Sequence, residues 1–390
     1  MSNSKLATRI VRSGIESDSQ HHAVIPPIYL SSNYAFEEFG KAGKYDYTRS
    51  GNPTRDLLGE ALAELEHGHA TVVTATGMAA VTLVLQLLDP EDLILAPHDC
   101  YGGTYRLLSQ LKLRGIVNAA FHNQQDGAFI ESIRSLKPRV VWIETPSNPL
   151  LRITDITRIA EAAHAVGALV VVDNTFLSPA LQQPILLGAD IVIHSTTKYI
   201  NGHSDVVGGA AMAKSPKIYK RLKYWANCLC VAASPFDAYL TLRGLRTLKA
   251  RLNLHLANTA AVVELLSRHP AVRITHYPGL ASHPGHALAA SQQSGFGAML
   301  SFELEDTEAV KAFLANLEFF SLAESLGGVE SLVAHPASMT HAAMDPEARR
   351  IAGISDGLLR LSIGIEDGDD LCRAIGTALD AVLSLKREAA

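Results

Sequence analysis

Residues 191–202 read Ile-Val-Ile-His-Ser-Thr-Thr-Lys-Tyr-Ile-Asn-Gly, and the organisation of the chain can be worked out from this stretch. The aliphatic residues at its start are typical of a short buried strand. Four side chains that can form hydrogen bonds come next, then Lys198, and an Asn-Gly turn closes the segment. Burying an ammonium without a partner is costly and lowers its pKa. A lysine at the mouth of a buried strand is therefore a candidate for amine chemistry.

Lys198 has two interpretations on this stretch alone. A lysine that loses its proton easily can form an imine with an aldehyde, and the hydroxyls just before it are groups that bind phosphate. Pyridoxal phosphate (PLP) is an aldehyde that carries a phosphate, and the hypothesis is that Lys198 binds it covalently. The alternative is a lysine whose side chain extends from the strand end to water. Features elsewhere in the chain distinguish these two interpretations.

The composition predicts a large globular protein. The chain has 390 residues, 47% of them hydrophobic and 19% charged, which suffices for a large core and two domains. A net charge of −5 without a basic block argues against nucleic acid as a partner. The longest apolar run, around residues 79–88, is too short to span a membrane. Without a signal peptide or a disulfide framework, free buried thiols and a cytoplasmic location are expected.

Residues 1–58 are predicted to form an extended arm. A Pro-Pro pair favours extended chain, and segment 45–55 is rich in hydroxyls, arginines and turn-forming residues. Tyr47 and Arg49 are two residues apart, so in an extended chain they project to the same side and could both reach one phosphate. Such an arm usually packs against another structure, often a neighbouring subunit, and an exposed loop with incidental charges is the alternative.

Residues 59–250 are predicted to form a mostly parallel sheet with helices on both faces, which would be the PLP-binding domain. Short β-branched runs alternate with stretches of helical periodicity, as in βαβ units. The predicted strands are 93–96, 117–121, 140–144, 169–173, 191–194 and 206–213. Ligands bind at the carboxyl ends of such strands. Polar segments follow four of the runs, at 99–103, 144–149, 173–176 and 194–198. This coincidence favours the cofactor interpretation of Lys198.

Residues 251–390 are expected to form a smaller C-terminal α/β domain. The predicted helices are 252–267, 307–317 and 371–387, the predicted strands are 272–277, 298–303, 318–322 and 358–363, and a helix through 239–251 joins the two domains. Arg360 lies within an otherwise aliphatic strand. A guanidinium there needs an anion, and either a substrate carboxylate or an internal carboxylate would serve.

A PLP site makes demands that this sequence can meet. Lys198 supplies the amine, and Asp173 the carboxylate that keeps the pyridine nitrogen protonated, although Asp173 could instead cap a helix. Tyr101 can stack on the ring. The candidates for the phosphate are Gly77, Met78, Ser195, Thr197 and Arg49. The motifs G-x-G-x-x-G, Gly-Lys-Ser/Thr and His-Glu-x-x-His are absent, so no dinucleotide and no metal are expected.

Four segments resemble the Cys/Met-metabolism family of PLP-dependent enzymes. They are 47–54 (Tyr-Thr-Arg-Ser-Gly-Asn-Pro-Thr), 171–176 (Val-Val-Asp-Asn-Thr-Phe), 194–205 (His-Ser-Thr-Thr-Lys-Tyr-Ile-Asn-Gly-His-Ser-Asp) and 324–332 (Glu-Ser-Leu-Gly-Gly-Val-Glu-Ser-Leu). The resemblance extends over nearly the whole chain. It implies an aspartate-aminotransferase-like fold, PLP fold type I. It also implies a homotetramer, a dimer of dimers whose subunits share active sites.

The resemblance further implies roles for matching positions. Lys198, Asp173 and Tyr101 would be catalytic, as the cofactor lysine and proton carrier, the pyridinium partner, and the stacking ring and second base. The phosphate would be held by Gly77, Met78, Ser195 and Thr197, with Tyr47 and Arg49 of the adjacent subunit. The substrate α-carboxylate would be bound by Arg360, Asn148 and Ser325. The distal ends of the substrates would meet Lys41, Asp46, Arg106 and Glu324.

The reaction that the resemblance implies is γ-replacement. Cysteine would displace the acyl group, expected to be succinyl, of an O-acyl-L-homoserine and give L-cystathionine for methionine biosynthesis. Family members also catalyse γ-elimination of cystathionine to cysteine, 2-oxobutanoate and ammonia, or replacement by sulfide, and these are the alternatives. Gly103 stands where members acting on methionine resemble one another in having a cysteine. Glu324 stands where the β-eliminating members tend to have an aromatic residue, so neither of those reactions is expected.

Overall fold

The structure is a computed structural model that describes residues 4–342, 344 and 346–388. The helices are α1 (Leu6–Arg12), α2 (Pro53–Glu66), α3 (Gly77–Leu85), α4 (Gly102–Leu113), α5 (Ala128–Leu136), α6 (Ile156–Ala165), α7 (Ser178–Leu181), α8 (Pro216–Leu229), α9 (Pro235–Leu245), α10 (Leu248–Arg268), α11 (His286–Gln292), α12 (Thr307–Ala315), α13 (Pro346–Ala352) and α14 (Gly368–Glu388). The strands are β1 (Ala70–Thr74), β2 (Leu93–Pro97), β3 (Asn118–His122), β4 (Val140–Glu144), β5 (Leu169–Asp173), β6 (Ile191–His194), β7 (Gly209–Ala213), β8 (Ile274–His276), β9 (Met299–Glu303), β10 (Ser321–Leu322), β11 (Leu332–Ala334) and β12 (Leu358–Ser362).

The larger sheet has seven strands in the order β1-β7-β6-β5-β4-β2-β3. Only β7 is antiparallel to its neighbours, so the prediction of a mostly parallel sheet is confirmed. Both faces of the sheet are covered. In β4, Val141 and Ile143 pack into one hydrophobic cluster, and Val140 and Trp142 pack into another on the opposite face. Strands buried on both faces need continuous apolar runs, which is why this segment has no polar alternation.

The smaller sheet has five strands in the order β10-β11-β12-β9-β8. Its pairs are antiparallel except for β10 with β11. Helix α14 packs against both α10 and α12 beside this sheet. Arg360 lies in the middle of β12, opposite Ser301 of β9. The sheet therefore holds this arginine in a rigid frame.

Several predicted boundaries differ from the structure. The helix predicted over 239–251 is two helices, α9 and α10, and the proposed domain limit at 250 falls inside α10. The predicted arm, 1–58, contains α1 and the first turns of α2, and Ile10 is fully buried in the core. Residues 13–52 contain only isolated bridges, such as that between Asn33 and Tyr47. The division into an arm and two domains remains a prediction.

The cysteine prediction is only partly right. All four are free thiols, but Cys228 and Cys230 are exposed at the C-terminal end of α8, while Cys100 is buried. Over the described ranges, none of the helices combines the length and apolar character needed to cross a membrane. The same residues contain no group of three or more acidic, histidine or cysteine side chains placed to bind a metal.

Candidate active site

A cavity of about 400 Å³ lies at the carboxyl ends of β4, β5 and β6. This is the edge at which parallel sheets bind ligands. Most of the residues predicted from the sequence line it: Gly77, Met78, Tyr101, Asn148, Asp173, Ser195, Thr197, Lys198, Glu324, Ser325 and Arg360. The larger sheet and the smaller sheet both contribute to the cavity, since Arg360 comes from β12.

Lys198 lies four residues beyond the end of β6. Its Nζ donates a hydrogen bond to Ser325 Oγ at 2.7 Å, rather than extending to bulk water. The pKa of Lys198 is lowered to about 8, mainly by burial and in part by the nearby Arg360, against the opposing charges of Glu324 and Asp173. A lysine with this pKa is partly neutral near pH 7 to 8, which a nucleophile or a general base requires.

Asp173 ends β5 inside the cavity. The next helix, α7, begins only at Ser178, with Leu177 at its cap, so the helix-capping alternative is wrong. One carboxylate oxygen accepts a hydrogen bond from Thr175 N at 3.0 Å. Burial raises the pKa of Asp173, while the Thr175 hydrogen bonds and the positive charges of His194 and Lys198 lower it.

The N-terminus of α3 lines the cavity together with Ser195 and Thr197 and is a candidate anion site. The first N–H groups of a helix have no partner within it, and the helix dipole favours a negative charge there. Thr76 caps α3 by accepting from Ala79 N. A Cβ atom on Gly77 would lie 2.8 Å from Ser195 Cβ, so only glycine lets these two segments approach. The N–H groups of α3 and the Ser195 hydroxyl are donors of the kind that a phosphate dianion needs. The Thr197 hydroxyl instead donates to Gly208 O at 3.2 Å.

Tyr101 precedes α4, and 43% of it is exposed. Its backbone N–H donates to Glu144 Oε2 at 2.7 Å. A Cβ atom on Gly103 would come within 2.6 Å of the Tyr101 ring, so the ring packs directly over this glycine. Burial raises the pKa of the phenol, Glu324 raises it further, and Arg106 opposes the rise. The hydroxyl is therefore protonated near neutral pH.

Glu144 is a site residue to which the sequence assigned no role. It pairs with Asp173 across β4 and β5, is buried, and accepts from Trp142 Nε1 at 3.1 Å. The pKa of Glu144 is raised to about 8, mainly by burial and in part by the neighbouring Asp173. The sequence contains one indication of this role: Glu144 ends an aliphatic run, as Asp173 ends the next predicted strand.

Arg360 is buried, and its two terminal nitrogens meet neutral oxygens. Nη1 donates to Asn148 Oδ1 at 2.9 Å, and Nη2 donates to Ser325 O at 2.8 Å. None of the ion pairs among the described residues includes it, so the internal Arg–carboxylate alternative is not what the structure contains. Burial lowers the pKa of Arg360 to about 10, which leaves it charged. Ser325 holds a left-handed backbone, with φ of 86°, to make both contacts.

The other predicted residues do not line this cavity. Lys41 pairs with Glu37 at 2.9 Å, and Asp46 accepts from Ser50 Oγ at 2.6 Å. The Arg49 guanidinium lies 5.6 Å from the centre of the Tyr47 ring, which agrees with the prediction that both point the same way. Arg106 is on α4, outside the lining. Roles for Lys41, Asp46, Tyr47, Arg49 and Arg106 remain predictions.

The arrangement defines a class of protein. A buried lysine of lowered pKa, an acid at the end of the adjacent strand and an anion site at a helix N-terminus provide the groups that PLP requires. A seven-stranded mixed sheet with a five-stranded sheet beside it agrees with the predicted aspartate-aminotransferase-like fold. The fold and the site are those expected of a PLP-dependent enzyme.

The chain belongs to the Cys/Met metabolism PLP-dependent enzyme family, which it matches over residues 7–380. It is 54% identical over 369 residues to cystathionine gamma-synthase of Escherichia coli (strain K12), covering 94% of this chain and 96% of that protein. It is 43% identical over 378 residues to cystathionine gamma-lyase of Bacillus subtilis (strain 168), covering 97% and 100%. The crystal structure of cystathionine gamma synthase from Xanthomonas oryzae pv. oryzae in complex with cystathionine matches with a TM-score of 0.96 and 59% identity, over 98% of this chain and 99% of that one.

These comparisons confirm the predicted family, fold and cofactor. They also place the protein among enzymes of amino-acid metabolism. Synthase and lyase relatives both match almost the whole chain. Membership of the family therefore does not decide between γ-replacement and γ-elimination.

Proposed function

We propose that this protein joins an O-acyl-L-homoserine and L-cysteine by γ-replacement to give L-cystathionine. The observation that carries the proposal is the pair of opposite charges in the cavity. Arg360 has no acidic ion-pair partner among the described residues, and Glu324 lies close enough to influence Arg360, Lys198 and Tyr101. Two amino acids can bind in such a cavity, one by its carboxylate and the other by its ammonium group. The higher identity to the synthase relative supports the same reaction.

The first substrate would bind through its α-carboxylate to Arg360. Asn148 and the Ser325 carbonyl already hold the guanidinium in a fixed plane. A fixed fork matches the two carboxylate oxygens and loses little entropy on binding. The succinyl group at the distal end carries a second carboxylate, for which the proposed partners are Arg106 and Lys41.

The proton transfers would be made by Lys198. PLP, held by Lys198, Asp173 and the anion site, supplies an electron sink that acidifies the hydrogens near the amino carbon. Lys198 Nζ, once free, removes the Cα proton and returns it, and its lowered pKa suits both directions. The hydrogen bond to Ser325 Oγ sets the direction from which this amine reaches Cα. Tyr101 covers the site and is the second proton carrier.

Replacement at Cγ needs no redox partner. The bond from Cγ to the acyl oxygen breaks, the carboxylic acid leaves, and cysteine sulfur forms the new bond to Cγ. The thiol proton balances the released acid. Glu324 would bind the cysteine ammonium group and so place the thiol at this carbon, since proximity supplies much of the rate gain.

The proposal is tested by incubating the holoenzyme with O-succinyl-L-homoserine, with and without cysteine, and measuring cystathionine against 2-oxobutanoate. Cystathionine should dominate when cysteine is present. O-acetyl-L-homoserine in parallel tests the acyl group. Faster release of 2-oxobutanoate from cystathionine itself would contradict the synthase proposal.

Glu324 offers a sharper test at one residue. Glu324→Ala should raise the KM for cysteine roughly tenfold, because one charge-assisted hydrogen bond is worth about 1.5 kcal/mol, and should leave cofactor retention unchanged. Glu318→Ala is the matched control, since Glu318 is exposed in the same segment and does not line the cavity. An unchanged cysteine KM would argue against this role.

The alternative function is γ-elimination of cystathionine. It is favoured by the identity of 43% to the Bacillus lyase over 97% of this chain. The same cavity would serve, because γ-elimination shares the early proton transfers and differs in whether a thiol then attacks. The product ratio in the incubation above decides between the two reactions.

We also propose a cytoplasmic homotetramer, a dimer of dimers in which residues 1–58 reach the neighbouring site. Two observations support the assembly. Tyr47 and Arg49 do not line the cavity of their own chain. The same arm exposes large apolar side chains, among them Leu30 and Phe39, which soluble monomers seldom leave in contact with water.

A further inference from the structure

A buried acid–histidine pair lies behind the cavity and has no role in the function proposed above. Glu66 is the last residue of α2 and His194 the last of β6, and both are fully buried. His194 Nε2 lies 2.6 Å from Glu66 Oε1, and Asn174 Nδ2 donates to the same oxygen at 2.9 Å. Glu66 Oε2 and His194 Nδ1 have no hydrogen-bond partner among the described residues.

His194 and Asp173 end two neighbouring strands of the larger sheet, β6 and β5. β5 and β6 are parallel neighbours, with Asp173 opposite Ile193, so His194 is one residue further along. Asn174, next to Asp173, donates its N–H to Ile193 O at 3.0 Å and its side chain to Glu66. Glu66 and His194 are therefore linked through Asn174 to the chain segment that carries Asp173.

Burial works against the ionised form of Asp173, so its placement among its neighbours matters. Across β4 it faces Glu144, a second buried acid, and two buried acids close together tend to share one proton. Lys198 contributes a positive charge from the cavity, but this charge is given up when the lysine acts as a base. His194 lies outside the cavity, and its charge opposes the effect of burial on the pKa of Asp173.

A buried hydrogen-bonded pair fixes the elements that it joins, because neither side chain can turn away without leaving a buried polar atom unpaired. We propose that Glu66 and His194 are positioning residues: the hydrogen bonds of Glu66 with His194 and Asn174 fix the carboxyl ends of β5 and β6, and so hold Asp173 in place as the partner of the cofactor's ring nitrogen. This inference depends on the proposed placement of PLP at Asp173, but not on which reaction follows.

The test compares holoenzymes of the wild type, Glu66→Gln and His194→Gln in the absence of substrate. The pH midpoint of the visible absorption of bound PLP should move up by roughly one unit in both variants. The reason is that a ring nitrogen without its proton leaves the nitrogen at residue 198 more basic. PLP should also dissociate roughly tenfold more readily on dialysis. In turnover, kcat should fall while the substrate KM stays within about twofold.

The matched control is His164→Gln. His164 Nε2 lies 2.9 Å from Asp190 Oδ2, so this variant removes the same kind of pair at an exposed position away from the cavity. Its spectrum and PLP retention should equal those of the wild type. If Glu66→Gln and His194→Gln behave like this control and lose only thermal stability, the pair is structural and the proposal is overturned.

A single variant that fails to fold does not end the test. The double variant Glu66→Gln with His194→Gln leaves no buried charge unpaired, so it should fold even if a single one does not. A wild-type midpoint in the double variant would overturn the proposal. Asp173→Asn is measured alongside: if it also keeps the wild-type spectrum, the placement of PLP itself is wrong rather than the role of the pair.

Discussion

Arg360 brings a positive charge into the interior and meets neutral oxygens at both terminal nitrogens. Burial lowers its pKa only to about 10, so it remains charged at neutral pH. A buried charge of this kind lowers the stability of the empty protein unless an anion neutralises it. A substrate carboxylate would complete the interaction.

Replacement of Arg360 by lysine tests this interpretation. Lysine keeps the charge but cannot bind both carboxylate oxygens in one plane, so the expected loss is about 2 kcal/mol, or roughly thirtyfold in the KM for the O-acylhomoserine. Steady-state kinetics measures it, with Arg158→Lys on the exposed surface of α6 as the control. Equal KM values for the two variants would show that Arg360 does not bind the carboxylate.

Glu144 gives a prediction about pH. Its pKa is raised to about 8 in the folded chain against an ordinary value of 4.5. Below 4.5 both the folded and the unfolded chain hold this proton; between 4.5 and 8 only the folded chain does, so the stability of the apoprotein falls as pH rises. Glu144→Gln removes this loss.

The measurement is the midpoint of urea unfolding of apoprotein at intervals from pH 5 to 8.5. The wild type should become less stable over this range, and Glu144→Gln should change less. Parallel curves for the two proteins would mean that Glu144 binds no extra proton in the folded chain. The pKa of Asp173 is also raised by burial, so some slope should persist in the variant.

At the scale of elements, α2 links the arm to the interior of the site. Asn52 begins the helix by accepting from Thr54 N at 3.0 Å and Arg55 N at 3.2 Å. The same side chain donates to Tyr29 O at 2.9 Å and to the Tyr34 hydroxyl at 3.1 Å, which holds the arm. The helix then ends at Glu66, behind the cavity.

Two substitutions at residue 52 separate these contributions. Asn52→Ala removes the cap and the arm contacts, so the free energy of unfolding should fall by about 1 kcal/mol or more, and proteolysis within residues 29–48 should become faster. Asn52→Asp keeps a capping oxygen but has no donor for the arm, so mainly the proteolysis should change. Equal proteolysis in all three proteins would show that Asn52 does not fasten the arm.

The sequence predicts some elements accurately and misses others for identifiable reasons. β4, β5 and β6 have the predicted bounds, because continuous β-branched runs that end in a polar residue identify buried parallel strands. β1 was missed because its short Ala-Thr-Val-Val-Thr run pairs with β7, far along the chain. The Glu66–His194 pair was missed for the same reason: its two members lie 128 residues apart, and no local pattern joins them.

At the scale of the molecule, the arm should complete the cavity of another chain. The variants Lys198→Ala and Arg49→Ala should each be inactive when expressed alone. When the two variant chains are co-expressed, half of the dimers are hybrids, and one of the two sites in each hybrid is intact. The mixture should therefore have about a quarter of wild-type activity. The control is co-expression of a Lys198→Ala chain with an Asp173→Asn chain. Both residues line the same cavity, so no hybrid has an intact site. Equal activity in the two mixtures would show that sites are not shared.

Strand β7 has a consequence for how the protein is made. β1 lies at the edge of the sheet, where all five of its residues pair with β7. The backbone at Gly209 lies directly against the Thr76 carbonyl, beside the start of α3. A nascent chain therefore carries β1 unpaired until the ribosome has released residues 209–213. The phosphate end of the site is among the last parts of the larger sheet to form, so truncated or stalled chains that stop before residue 209 should not retain PLP.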